Sequence, residues 1–182
     1  MILRFVQWLG TWGLFQYLRG SPYLYPTILS LHMVMILFFG GMILMTNLRV
    51  LGLALRGYSI ASVMGRLRVP KGIGLLTMLI IGFLLFGCKA EDYYQNVFFR
   101  AKIALLLLIG VHYLIFRKSV YRDPARLDRE KTVPVLAKVA AALSLALWSL
   151  VVIAGRSIGY TPISTTPVPS AELTAHPISL PR

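Results

Sequence analysis

Four apolar runs, at residues 24–47, 72–88, 98–116 and 133–154, constrain this chain more than any other feature. A helix needs about 20 mostly apolar residues to cover ~30 Å of hydrocarbon at 1.5 Å rise per residue. Inside lipid every backbone N–H and C=O must be satisfied within the chain, which short of a closed barrel only helices achieve. The sequence therefore predicts an all-α integral membrane protein, a four-helix bundle. Hydrophobic residues make up 57% and charged residues 14% of the chain, against about 45–50% and 25% in soluble domains. The 182-residue length suits one bundle without a second globular domain.

The net charge of +13 would point a soluble protein toward nucleic acid. Here the cations flank the apolar runs, where insertion and anionic headgroups account for them, and no basic face is interleaved with stacking aromatics. The lipid bilayer, not nucleic acid, is the expected partner. The connection after the first run holds Arg49, Arg56, Arg66, Arg68 and Lys71. The one after the third holds Arg117, Lys118, Arg122, Arg126, Arg129 and Lys131, with Asp123, Asp128 and Glu130. By the positive-inside rule both face the cytoplasm and both termini face outward, so the location is a cytoplasmic (inner) membrane. Arg100 and Lys102 lie at the outer start of the third run, and their stems are expected to snorkel to the headgroups.

Residues 1–20 carry one early charge, Arg4, and no small-residue cleavage site, so they do not read as a signal peptide. Trp8, Trp12, Phe15 and Tyr17 alternate with Arg4, Gln7, Thr11, Gln16 and Arg19, the pattern of an amphipathic helix lying flat at the interface. Gly20, Ser21 and Pro22 break it, and Tyr23 and Tyr25 mark an outer aromatic belt. The stretch 156–182 is rich in Pro, Ser and Thr and is expected to be extended, free to lie along a partner.

Ionisable and polar residues at membrane depth are where function is sought. His32 and His112 stand out, and histidine is the usual axial ligand of membrane haem b. Their positions relative to Arg49 and Arg117 put them about 18 Å apart along the membrane normal. One chain therefore cannot clamp one haem with this pair. Remaining ways are two protomers pairing like histidines at matched depth, a methionine as second ligand, with Met45 and Met78 near the depth of His112, or a ligand from another subunit. His112 can equally be a plain hydrogen-bonding residue, and His32 a quinone contact. Met33, Met35, Met42 and Met45 suggest copper, but positions 33 and 35 cannot share a helix face. Cys88 is the single cysteine, which excludes an intramolecular disulfide. No hydrolase, metalloprotease, phosphate-loop or dinucleotide motif occurs. No carboxylate falls inside a run, which argues against a transporter.

Trp8-Leu9, the stretch Ser21-Pro22-Tyr23-Leu24-Tyr25-Pro26, Leu31-His32, and Asn47-Leu48-Arg49-Val50-Leu51-Gly52 together carry a resemblance. They are similar to the front half of an uncharacterised bacterial family of four-helix inner-membrane proteins. Asn96, Phe99, Arg100 and Lys102 resemble the start of that family's third span. The resemblance covers residues 5 to about 118 and implies that His32 and Arg49 are positions of interest. This chain has Asn47 where many members have Asp, and His112 where Asn is common. In helix count and embedded histidine the family is also similar to small membrane b-type cytochromes. The function implied is that of a non-catalytic membrane subunit of a larger complex or homo-oligomer, binding haem b or quinone for electron transfer. His32 and His112 would be its ligands, and Arg49 would face a haem propionate or a lipid headgroup. The alternative is a structural or assembly subunit without cofactor.

Overall fold

The computed structural model describes Arg4 and residues 8–117, 120, 123–130 and 132–160. The expected tail beyond Tyr160, most of residues 1–7, and Lys118, Arg122 and Lys131 lie outside the described residues. The helices are α1 (Gly13–Gly20), α2 (Leu24–Leu51), α3 (Ile60–Cys88), α4 (Ala90–Gln95), α5 (Val97–Phe116), α6 (Pro124–Arg129) and α7 (Val135–Ser157), followed by a 3-10 turn at Ile158–Tyr160. Helices α2, α3, α5 and α7 are each long and apolar enough to cross a membrane. The all-helical, polytopic reading of the sequence holds.

Local chemistry sets the helix ends. Ser21 Oγ accepts the Leu24 N–H at 3.2 Å, fixing the entry to α2. Gly52 closes α2 in the left-handed region at φ 74°, and the Leu53 N–H returns to the Leu48 carbonyl at 3.0 Å, the pairing that favours glycine there. Asn96 caps α5 by accepting from the N–H groups of Phe98 and Phe99 at 2.9 and 3.2 Å. The start of α3 is capped twice. Ser59 Oγ accepts from Ser62 N–H at 3.0 Å, and the Asp128 carboxylate, arriving from α6, accepts from Ile60 and Ala61 N–H at 2.8 Å each.

That second cap ties the α2–α3 and α5–α7 connections to one end of the bundle, labelled inner, and the opposite end outer, after the orientation expected from the charges. Helix α3 also differs from its apolar run. It begins at Ile60 and passes through Arg66, Arg68, Pro70 and Lys71 without a break. Pro70 removes one backbone donor, which a helix tolerates where local adjustment or polar neighbours re-satisfy the freed carbonyl.

The long helices pack in the order α3–α2–α7–α5. Three apolar clusters fill the bundle from inner to outer end. Val50, Ile60, Met64, Val120, Leu127, Ala137, Ala140 and Ala141 form the first. Phe39, Met42, Met78, Trp148 and Val151 form the second. Leu9, Phe15, Leu18 and Cys88 form the third, which seats α1 on the outer end of α3. A Cβ at Gly87 would run into the Phe15 ring, so the glycine is what admits that ring. The N-terminal aromatics thus divide: Phe15 turns into the bundle while Trp8, Trp12 and Tyr17 stay exposed. Much of the outside is Leu, Ile, Val and Phe, as expected where the surrounding solvent is hydrocarbon.

Candidate functional site

Every seventh residue along α2 from Tyr25 turns inward or to the outer mouth: Tyr25, His32, Phe39, Thr46. Seven residues are almost two turns, so these side chains share one face. His32 lies eight residues into α2, about 12 Å from its outer end. Its ring rests on Gly82 of α3, whose hypothetical Cβ would stand 3.4 Å from His32 Cε1. The ring is buried, and its Nδ1 has no hydrogen-bond partner. Leaving such an atom unsatisfied costs about 1–3 kcal/mol, so the position calls for a reason.

Lys102 supplies part of one. It occupies the inward stripe of α5 with Leu105, Leu106 and Ile109. Its Nζ would lie 3.5 Å from a Cβ at Gly155 of α7. Arg100 is exposed, while Lys102 is half-buried, its stem lying against Gly155, two residues from the end of α7. The reason is azimuth, because two residues are 200° apart around a helix. No carboxylate among the described residues pairs with Lys102. Helices α2, α3, α5 and α7 thus bring an imidazole, an ammonium and two glycines to one level of the outer half.

The inner end is organised differently. His112 Nε2–H donates to the Ala140 carbonyl at 3.1 Å and the ring lies 4.8 Å from Phe116, joining α5 to α7. Asn47 Nδ2 donates to Ser144 Oγ at 3.1 Å, joining α2 to α7. Lys71 Nζ donates to Thr46 Oγ1 at 3.2 Å, and that hydroxyl donates in turn to the Met42 carbonyl at 2.8 Å. Arg49 Nε donates to the Tyr58 carbonyl, pinning the α2–α3 connection. Met45 is 53% exposed and faces out of the bundle, although it shares the depth of the inner residues. At the outer mouth the hydroxyls of Tyr25 and Tyr93 meet at 3.1 Å, with Lys89 over the Tyr25 ring. Tyr93 also stacks on Phe99 at 5.3 Å. Burial first, and the Tyr25 hydrogen bond second, push the Tyr93 phenol well above the usual tyrosine range.

Compared with known families, residues 5–161 match the family of unknown function DUF6644. The chain belongs to that family. The match runs through α7, beyond the front half that carried the resemblance in the sequence. No curated protein matches the DUF6644 chain, and no solved structure matches it.

The residues of this DUF6644 protein do not suit a bis-histidine haem. Lys102, at the level of His32, is ten residues from His112 along α5, about 15 Å. A shared iron needs both ligands within bonding distance. Both rings are enclosed by their own bundle, so neither can meet its copy in a second protomer without repacking. Met45, turned outward, is misplaced as a second ligand for His112. Among the described residues no group of three or more His, Cys, Asp or Glu is placed to hold a metal ion. Two inward-facing cations escape sequence reasoning, Lys102 in the outer half and Lys71 in the inner half. The signal for Lys71 is the spacing 60, 64, 67, 71, 74, 78, 81, 85, 88, an unbroken alternation of four and three that marks the buried face of α3.

Proposed function

We propose that this protein is a non-catalytic electron-transfer subunit of a membrane complex, holding a quinone head group in the outer half of the bundle between His32 and Lys102. The observation that carries this reading is the buried His32 Nδ1, left without a partner, in the same half of the bundle as the Lys102 ammonium, which no described carboxylate neutralises. A quinone offers two carbonyl oxygens and no obligatory donor. It can therefore accept from an imidazole N–H on one side and an ammonium on the other. The same cation would stabilise the negative charge that develops when the ring takes up an electron. Gly82 and Gly155 keep Cβ atoms away from the two side chains, and the isoprenoid tail would lie along the lipid-facing helices. His112 and Asn47, already bonded between helices, act as structural ties on this reading.

The setting is a bacterial cytoplasmic membrane with the two basic connections inside and both termini outside. That orientation puts the site near the outer leaflet. Other subunits, or further copies of the chain, would supply the electron donor and acceptor. The second reading, a structural subunit without cofactor, draws on the same interhelical ties and on the exposed Trp8, Trp12 and Tyr17 of the N-terminal segment.

The test is purification in mild detergent, extraction and quantification of bound quinone, and titration with a short-chain quinone. Near-stoichiometric quinone in the wild type, with affinity falling about 10- to 100-fold in Lys102→Met and in His32→Ala, is the expected result. Equal binding by wild type and both variants would overturn the assignment. A Soret band that shifts on reduction and vanishes in His32→Ala would replace quinone with haem. A colourless, quinone-free, well-folded protein would favour the structural subunit.

A further inference from the structure

Lys71 is the second cation built into the core face of α3, and the outer-half site makes no use of it. It follows Leu67 and precedes Gly74 and Met78 on the buried stripe, where an aliphatic side chain would pack without cost. Its ammonium instead meets the buried Thr46 hydroxyl at 3.2 Å. That one bond uses one of three N–H donors and none of the charge. No carboxylate among the described residues pairs with it. An intramembrane cation of this kind is expensive and marks a site by default.

Depth and surroundings identify the missing partner. Thr46 is five residues, about 8 Å, from the inner end of α2. Arg49 follows Thr46 by one turn on α2, and the exposed Arg68 precedes Lys71 by one turn on α3. Lys71 is therefore the deepest member of a basic rim, at the height where headgroup phosphates meet the acyl region. We propose that Lys71, set by Thr46 and backed by Arg49 and Arg68, anchors a phosphate group at the inner rim, and that this phosphate is the headgroup of an anionic phospholipid. A phosphate oxygen accepts from the two remaining ammonium protons, and the arginines at the rim add charge-assisted bonds. The site is separate from the quinone site and stands whether or not that one does.

The test uses the full chain, purified and delipidated in a nonionic detergent. Thermal unfolding is followed while phosphatidylglycerol, phosphatidylcholine or inorganic phosphate is added. A hundredfold excess of phosphatidylglycerol over its Kd should raise the Tm by about 5–10 °C, and phosphatidylcholine by far less. Lys71→Met should weaken the phosphatidylglycerol effect about tenfold or more, while Lys71→Arg and the distant Arg126→Gln retain it. A response to inorganic phosphate as well as lipid supports the phosphate chemistry but replaces the lipid with a soluble source. Equal responses to phosphatidylglycerol and phosphatidylcholine, or an unchanged response in Lys71→Met, overturn the proposal. If Lys71→Met does not fold, amine labelling of the wild type decides. Phosphatidylglycerol should protect Lys71 from an acylating reagent where phosphatidylcholine does not, and absence of protection overturns the site.

Discussion

Gly40→Ala probes the tightest helix contact in the middle of the bundle. A Cβ at this position of α2 would stand 2.7 Å from Trp148 Nε1 on α7, while ordinary contact begins near 3.4 Å. The indole would have to withdraw by about 0.7 Å to restore ordinary contact. It has little freedom to do so. It stands edge-on to Phe39, centroids 5.1 Å apart, and is buried with Met42 and Val151. Overpacking of this kind costs about 1–3 kcal/mol. Replacing a helical glycine by alanine returns about 0.5–1 kcal/mol. The net destabilisation is then about 0–2.5 kcal/mol, up to roughly 70-fold in the unfolding constant. Equilibrium unfolding in mixed micelles, read by far-UV circular dichroism, resolves such a change. The companion variant is Trp148→Ala, which removes the indole that meets the new methyl group. In that background Gly40→Ala should stabilise by about 0.5–1 kcal/mol, so the cycle yields an interaction energy near 1–3 kcal/mol. A stabilising Gly40→Ala with Trp148 present, or the same penalty in both backgrounds, would refute the argument.

Two further outcomes concern the ends of the helices. Asp128→Ala removes the two carboxylate acceptors at the start of α3, leaves Ser59 in place, and should cost about 1–2 kcal/mol. Amide exchange at residues 60–61 should accelerate, Asp128→Asn should keep part of the protection, and unchanged exchange would deny the cap its role. Tyr93 is an acid whose folded pKa is raised above the ordinary 10.0, so the folded state holds its proton more tightly than the unfolded one. Its contribution is complete below pH 10 and declines as pH rises toward the folded pKa. Stability should therefore fall on the alkaline side, with a shallower fall in Tyr93→Phe. Equal alkaline slopes for both proteins would contradict this.

The four long helices were legible in the sequence because hydrocarbon demands long apolar runs, and residues such as Leu37 and Leu107 declare them. The first three turns of α3 were not. Arg66, Arg68, Pro70 and Lys71 interrupt hydropathy, Ser59 is the one local mark of the start, and the Asp128 cap comes from a distant connection. At the site, depth was readable and direction was not. Counting 1.5 Å per residue places Met45 and Thr46 together, yet one residue also turns the helix by 100°, so Met45 faces out while Thr46 is buried. Arg100 is exposed and Lys102 half-buried for the same reason. His32 was identified by its type and depth, but its open Nδ1 depends on which side chains the neighbouring helices bring.

The carboxylate that completes the start of α3 is 68 residues away in the chain. At 5–20 residues per second, synthesis of that stretch takes about 3–14 s. During this interval the second crossing exists with its leading amides bare, exposed to water or to whatever else reaches them. Final locking of this end thus awaits emergence of the connection between the last two crossings, which makes that short acidic-basic turn the latch on an assembly otherwise already in place.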